Sequence, residues 1–317
     1  MNNNNNNDNG IDDGIDDDGG IYGLEAFCKK KEKNLLTSLF KGDSDSSVSS
    51  YSDDDNNNDN DNDNDNDIMN NIDTNNDNND NNDDTFIAIS INNDDIQKDI
   101  YLKQQKVRGI AHQLWPAAIY LCQYINDNKD SIMIMMNDNN NNNNEMNFNL
   151  LELGAGLGLC GIYCHCLLNN NVEKTIITDL DEAVDSINYN INLNNCSNNI
   201  NGNILCWGNE YDIDNVINQL NPSLPLLVLA ADCVYWETLY NPLYQTILRL
   251  IINHNAIILM SYVKRWKKCE KFFKLFHKVK DIKVTMMKES VDWIKDENTN
   301  KKCKRITRLY SFQRNFI

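Results

Sequence analysis

Phe148-Asn-Leu-Leu-Glu152-Leu-Gly154-Ala-Gly156-Leu-Gly158 is the stretch whose reading decides the fold. Phe148–Leu153 reads as a strand and 159–168 as a helix, and between them glycine recurs at every second position. Glycine permits a tight turn and lets a ligand approach the backbone closely. The N-terminus of the following helix offers unpaired N–H groups. A ligand carrying a carboxylate or a ribose fits such a place, at the carboxyl edge of a sheet.

The spacing narrows the ligand. A dinucleotide site wants a third glycine three positions after the second. Here that position is Leu159 and the third glycine is Gly158. The pattern is G-x-G-x-G, the form typical of S-adenosylmethionine sites. A phosphate-binding Walker loop requires a Lys after its last glycine, and none follows here. A glycine-rich turn without a ligand is the plainer alternative, because such turns are common punctuation.

Working outward, short apolar runs alternate with amphipathic stretches. Strands are expected at 175–178, 204–207, Leu226–Ala231 and 256–262, and helices at 110–125, 182–193, 239–252 and 266–279. Helical spacing of apolar positions carries the helix readings. Leu226–Ala231 is continuously apolar, as a strand covered on both faces should be. Runs at 86–91 and 100–104 suggest a separate short ribbon, and two β-like runs, 282–287 and 306–312, close the chain. Alternating strands and helices argue for a parallel, doubly wound sheet. The closing strand pair fits a sheet whose last strand returns antiparallel.

Composition divides the chain in two. Residues 1–100 hold 26 acids and 6 bases, and residues 101–317 hold 21 acids and 23 bases. The overall net charge of −18 therefore belongs to the N-terminal third. That third is dominated by Asn and Asp, which cannot bury enough apolar surface to offset the entropy of ordering. Disorder is expected over 1–84 and a folded domain over 85–317. A weakly apolar island at 21–39 and an Asn run at 139–144 read as tolerated solvated segments. Ten cysteines are present, mostly in apolar runs, where Cys packs as a small hydrophobe. With no apolar leader and no run near the roughly 18 residues of a membrane span, the expectation is a cytoplasmic or nuclear protein with no membrane partner.

Two further features line the same edge. Asp179 ends the second strand of the sheet, where a carboxylate can accept two hydrogen bonds from a ribose diol; the alternative is a helix N-cap by Asp179 or Asp181. After the fourth strand come Asp232-Cys-Val-Tyr235-Trp236. These can line a pocket for an amine, or cap the next helix. Cys160, Cys164, His165 and Cys166 invite a zinc reading, but they lie on an expected helix and no second Cys/His pair stands at finger spacing. Residues 249–317 hold 18 bases and 6 acids. Lys264, Arg265, Lys267, Lys268, Lys271, Lys274 and Lys278 cluster on one expected helix, a surface for nucleic acid, for an acidic protein, for the chain's own acidic tail, or simply for solvent.

Together, Gly109-Ile-Ala-His-Gln-Leu-Trp115-Pro-Ala-Ala, the glycine turn, Thr178-Asp179-Leu180, Cys206-Trp207-Gly208 and Ala231-Asp232-Cys-Val-Tyr235 resemble the seven-β-strand protein-lysine methyltransferases, methyltransferase family sixteen. The resemblance covers about residues 98–317. It implies an α/β fold, a seven-strand Rossmann-like methyltransferase sheet with helices on both faces. It also implies S-adenosylmethionine as cofactor and a lysine amine of a non-histone protein as acceptor; separately, the chain is expected to act as a monomer. By the same resemblance Trp115 borders the methionine end of the cofactor, Glu152 lies near its amino group, and Gly154, Ala155, Gly156 and Gly158 form the backbone cradle. Asp179 holds the ribose, Trp207 packs on the adenine, and Ala231 contacts the cofactor. Asp232 and Tyr235 are the catalytic pair that shapes lysine entry. A related enzyme acting on RNA or a small metabolite, or a non-catalytic binding module, remains the alternative; RNA amino-methylating enzymes usually place Pro after the acid of this loop, and no Pro follows Asp232 directly.

Overall fold

The computed structural model of the 317-residue chain describes residues 84–93, 96–138, 147–196, 199–295 and 302–315. The acidic tail up to residue 83, its island at 21–39 and the Asn run at 139–144 lie outside the described residues.

An antiparallel ribbon comes first, β1 (Asp84–Asn92) and β2 (Gln97–Gln105). Two 3-10 turns, Lys106–Arg108 and Ile110–His112, lead into α1 (Pro116–Asp127) and α2 (Lys129–Asp138). Next come β3 (Phe148–Leu153), α3 (Leu159–Leu167), β4 (Val172–Asp179), α4 (Asp181–Leu193), β5 (Ile200–Ile204), α5 (Glu210–Ile217), β6 (Leu226–Ala231), α6 (Tyr240–His254), β7 (Ile257–Val263) and α7 (Glu270–Phe276). The strands β8 (Ile282–Lys295) and β9 (Lys302–Arg314) close the chain. The seven-stranded sheet runs β5-β4-β3-β6-β7-β9-β8. Strands β3 to β7 pair in parallel, and β9 is antiparallel to both of its neighbours.

Side-chain alternation along the strands builds two cores. Leu150, Leu227, Leu229 and Leu259 face one way, against the ribbon and α1 to α4. Leu151, Leu153, Val228, Ala230, Ile258 and Met260 face the other, against α5, α6 and α7. A period of two along a strand sends neighbours to opposite faces. Both β3 and β6 are therefore apolar on both faces. The chain leaves β3 for β4 on one side and reaches β6 on the other, so the strand order reverses between them. Such a switch point opens a crevice at the carboxyl ends of the strands.

Three expectations need correction, and one helix lies outside them. The helix expected from residue 110 begins at Pro116, with Trp115 extended at φ −106°, ψ 140°. A residue before proline is pushed out of the helical region, and Pro suits the first helical position. The third sheet strand lies at Ile200–Ile204 rather than 204–207. As an edge strand of half-exposed Asn and Gly residues it carries little apolar signal. The helix expected over 266–279 shrinks to a 3-10 turn, Lys267–Cys269, followed by α7. The basic side chains expected to share one helix are thus spread over loop, turn and helix. Several are neutralised: Lys264 pairs with Glu270, and Lys268 and Lys271 pair with Glu237. Finally, α5 was unexpected, although Asn209 caps it by accepting from Tyr211 and Asp212 N–H.

Asparagines of α4 and its end hold the ribbon. Asn194 Oδ1 accepts from Tyr101 N (2.8 Å), and its Nδ2 donates to Tyr101 O (2.7 Å). Asn190, fully buried, accepts from Lys103 N (2.8 Å) and donates to Leu157 O (3.0 Å), which ties the ribbon to the glycine turn. Asn190→Ala strands both backbone groups. With roughly 1–3 kcal/mol per unmet buried group, urea unfolding should show a loss of about 2–4 kcal/mol; a loss under about 1 kcal/mol would mean that water replaces the side chain.

Among the described residues no helix is long and apolar enough to cross a membrane.

Candidate functional site

Three left-handed glycines shape the turn after β3: Gly154 at φ +58°, Gly156 at +56° and Gly158 at +81°. This region is costly for side-chain-bearing residues. Space is short as well as conformation. A Cβ at Gly154 would stand 2.6 Å from Trp207 Cζ2 and 3.0 Å from Cys233 Sγ, and one at Gly156 would stand 3.1 Å from Ala111 O. The turn is therefore bracketed by Trp207 on one side and by the 109–115 segment on the other. His112 anchors that segment, its Nδ1 3.1 Å from Ser186 Oγ on α4.

Asp179, at the end of β4, is half-buried beside this turn. Its Oδ2 accepts from Gly156 N (2.7 Å) and its Oδ1 from Leu180 N (2.7 Å). Each carboxylate oxygen keeps a second lone pair, so the group can still accept from hydroxyls. Burial raises its pKa, opposed by the two N–H donors. It does not cap α4: Leu180 occupies the N-cap position and provides no side-chain bond.

Glu152 lies beneath the turn, 1% exposed, with Oε2 accepting from Gly161 N (2.7 Å). Burial lifts its pKa to about 8, against the pull of that N–H. The folded chain thus holds a proton at Glu152 that the unfolded chain, near the ordinary value of 4.5, releases. The stabilising contribution is complete below about pH 4.5 and is lost as pH rises through about 8. Urea unfolding at pH 5.5 and 8.5 should show wild type losing stability across the window and Glu152→Gln losing much less; parallel curves would contradict a protonated Glu152.

The second half of the site stands at the ends of β6 and β7, where Ala231 pairs in register with Ser261. Asp232 follows at φ +58°, a strained position for a non-glycine residue. Its N–H donates to Ser261 O (2.8 Å). Its carboxylate is gripped by Arg265, Nη1 to Oδ1 at 2.7 Å and Nη2 to Oδ2 at 2.6 Å, and Val263 N adds a bond to Oδ1 at 3.2 Å. The same guanidinium lies 5.4 Å over the Trp115 ring, a cation–π contact. Trp115 is fixed in turn by its Nε1 donating to Ile110 O (2.9 Å). Tyr235 and Trp236 meet edge to face, centroids 5.0 Å apart.

The structure thus gathers Gly154, Ala155, Gly156, Gly158, Asp179 and Trp207 at one turn with Glu152 beneath, and joins Asp232 to Trp115 through Arg265. Arg265 is not legible as a site residue in the sequence, because the expected basic helix absorbs it. The available signal was its place two residues past β7, at the edge where Asp232 leaves β6. Cys233, whose Sγ donates to Leu153 O (3.3 Å), is likewise not legible. Among the described residues no group of three or more His, Cys, Asp or Glu side chains could hold a metal ion. Cys160 and Cys164 are fully buried in packing, and His165 Nδ1 lies 2.8 Å from Thr175 Oγ1.

The turn can cradle a ligand with ribose hydroxyls against Asp179 and a flat ring near Trp207. A family model described as lysine methyltransferase matches residues 94–279. The protein-lysine N-methyltransferase EFM6 of Saccharomyces cerevisiae is 33% identical over 179 residues, 54% of this chain and 70% of that protein. The protein N-lysine methyltransferase METTL21A of Xenopus tropicalis is 27% identical over 173 residues, 53% and 69% of the two chains. The EEF1A lysine methyltransferase 3 of the same organism is 30% identical over 158 residues, 50% and 60%.

Proposed function

The chain belongs to the lysine methyltransferase family, and from that membership we infer how its own residues serve the reaction. It is an S-adenosylmethionine-dependent enzyme that methylates lysine side chains of protein. When bound, the cofactor supplies an electrophilic sulfonium methyl group. The observation that carries the site assignment is the Asp179 carboxylate 2.7 Å from Gly156 N inside a left-handed glycine turn at the sheet's switch point. Gly154, Ala155, Gly156 and Gly158 would hold the cofactor's backbone-facing side, Asp179 its ribose, Trp207 its adenine, Ala231 its flank, and Trp115 and Glu152 its methionine end.

Lysine must reach the methyl group as a neutral amine, although its ordinary pKa is about 10.4. Desolvation in a narrow entry and a neighbouring positive charge both favour loss of the proton. We assign Tyr235 and Trp236 to the alkyl stem of the acceptor, where aromatic faces suit both methylene and cation. Asp232 is given a positioning part: with its side chain 4% exposed and its charge met by the Arg265 guanidinium, it sets the loop that carries Tyr235 rather than meeting the amine itself. Positioning of this kind supplies a large share of barrier lowering.

The acceptor we propose is a non-histone protein, with the chain working as a monomer in cytosol or nucleus. Support comes from the relatives named for lysine methylation of protein, one of them of EEF1A. Lysate from cells lacking the gene, incubated with the purified chain and methyl-labelled S-adenosylmethionine, tests it. Label should resist nuclease, yield to protease and appear as methyl-lysine after acid hydrolysis. Label released by nuclease would transfer the assignment to RNA.

A further inference from the structure

Away from the cofactor edge, two thiols from distant parts of the chain meet. Cys166, near the end of α3, and Cys196, three residues past α4, stand with their sulfurs 3.7 Å apart. Both are partly exposed, unlike Cys122, Cys160, Cys164, Cys206, Cys233 and Cys269, which are buried. Lys98 of the ribbon donates from Nζ to Cys166 Sγ at 3.3 Å and to Asn194 O at 3.2 Å. We propose that Cys166, Cys196 and Lys98 form a peroxide-sensitive dithiol site, in which Cys166 is the attacking thiolate and Cys196 the resolving thiol.

The arrangement supplies what each step needs. A thiolate, not a thiol, attacks peroxide. The 3.7 Å contact with Cys196 Sγ and the charge of Lys98 both pull the Cys166 pKa down, and Cys196 is pushed up by the same contact. The nucleophile is thereby separated from its resolving partner. In the first step the Cys166 sulfur attacks one oxygen of hydrogen peroxide and the O–O bond breaks; the departing hydroxide takes up a proton to become water, and Cys166 carries a sulfenic acid. In the second, the Cys196 sulfur attacks that sulfur, the S–O bond breaks, and the oxygen leaves as water with the Cys196 proton. Two thiols and one peroxide give one disulfide and two waters, the ordinary reversible rung of cysteine oxidation. Closing the bond brings the sulfurs from 3.7 Å to about 2.05 Å, and both residues lie at or beyond helix ends, where the backbone can follow.

The consequence is local. Cys196 lies two residues beyond Asn194, whose side chain holds the backbone of Tyr101 in the ribbon. A disulfide would staple the end of α3 to the segment that clamps the ribbon, closing a loop of 30 residues in sequence separation. A staple of this length stabilises by restricting the unfolded chain.

Treating the full chain, in a Cys28→Ser/Cys303→Ser background that removes the tail thiol and the exposed Cys303, with a slight excess of hydrogen peroxide tests the site. The expected product has lost about 2 Da, carries a proteolytic peptide pair joined through Cys166 and Cys196, reverts with dithiothreitol, and melts at a higher temperature than the reduced chain. With Cys196→Ser the same dose should give Cys166 sulfenic acid, trapped by dimedone. With Cys166→Ser, Cys196 should stay unoxidised. Joining of any other pair, sulfinic acid at Cys166 with Cys196 still free, or unmodified thiols throughout would overturn the proposal.

Discussion

Replacing Gly154 with alanine should abolish useful cofactor uptake while leaving the chain folded. Two independent penalties meet at this position. The backbone sits at φ +58°, where an L-residue costs about 1–2 kcal/mol. The added methyl would also fall 2.6 Å from Trp207 Cζ2, closer than real contacts allow, and 3.0 Å from Cys233 Sγ, a tight approach. Trp207 must move, and it is the wall assigned to the adenine. The expected stability loss is about 1–3 kcal/mol, and affinity for S-adenosylhomocysteine should fall about 100-fold or more, equivalent to at least about 2.7 kcal/mol. Gly158→Ala is the matched control. It shares the left-handed backbone at φ +81°, but its Cβ would meet only side-chain atoms at 3.5–3.6 Å. It should lose stability from strain and lose clearly less affinity than Gly154→Ala, because its added methyl displaces no wall of the site. If both variants bind alike, steric exclusion at Gly154 is not what shapes the site.

The second large effect is expected at Arg265. Its guanidinium is the main counter-charge of Asp232, whose side chain is 4% exposed. Taking one partner from a buried ion pair costs roughly 3–5 kcal/mol, because the other charge is left stranded. Arg265→Ala should therefore lower unfolding free energy by about that amount and free the Trp115 ring from the cation 5.4 Å away. Asp232→Asn combined with Arg265→Ala removes the stranded charge and should recover part of the loss. A double-mutant cycle with near-zero coupling would show the pair to be incidental. Turnover should fall in Arg265→Ala beyond what lost folding explains, since the Asp232 loop and Trp115 share this one tie.

How far the sequence reveals such a site depends on how local its signals are. The glycine turn, Asp179 and the Asp232 loop could be read because turn chemistry and strand ends are written in adjacent residues. The central strands could be read because β3 and β6 are buried on both faces. The edge strand β5 could not, for Asn201, Gly202 and Asn203 stand half-exposed. Trp115 starting a helix rather than sitting inside one follows from Pro116 alone, a signal overridden by apolar spacing from residue 110. Arg265 is the clearest case of information absent from local pattern. Its role exists only because β6 and β7 lie side by side, with Ala231 opposite Ser261. The Cys166–Cys196 contact is of the same kind, made by the ends of two helices packed on one sheet face.

Calorimetry of the purified chain with S-adenosylhomocysteine puts the central claim to the sharpest test. The glycine turn and Asp179 predict uptake of one molecule per chain in the micromolar range, about −8 kcal/mol, falling about 100-fold in Gly154→Ala and sharply in Asp179→Ala. Absence of binding by the folded wild-type chain, or equal binding by the wild type and both variants, would contradict the assignment of the cofactor to this turn.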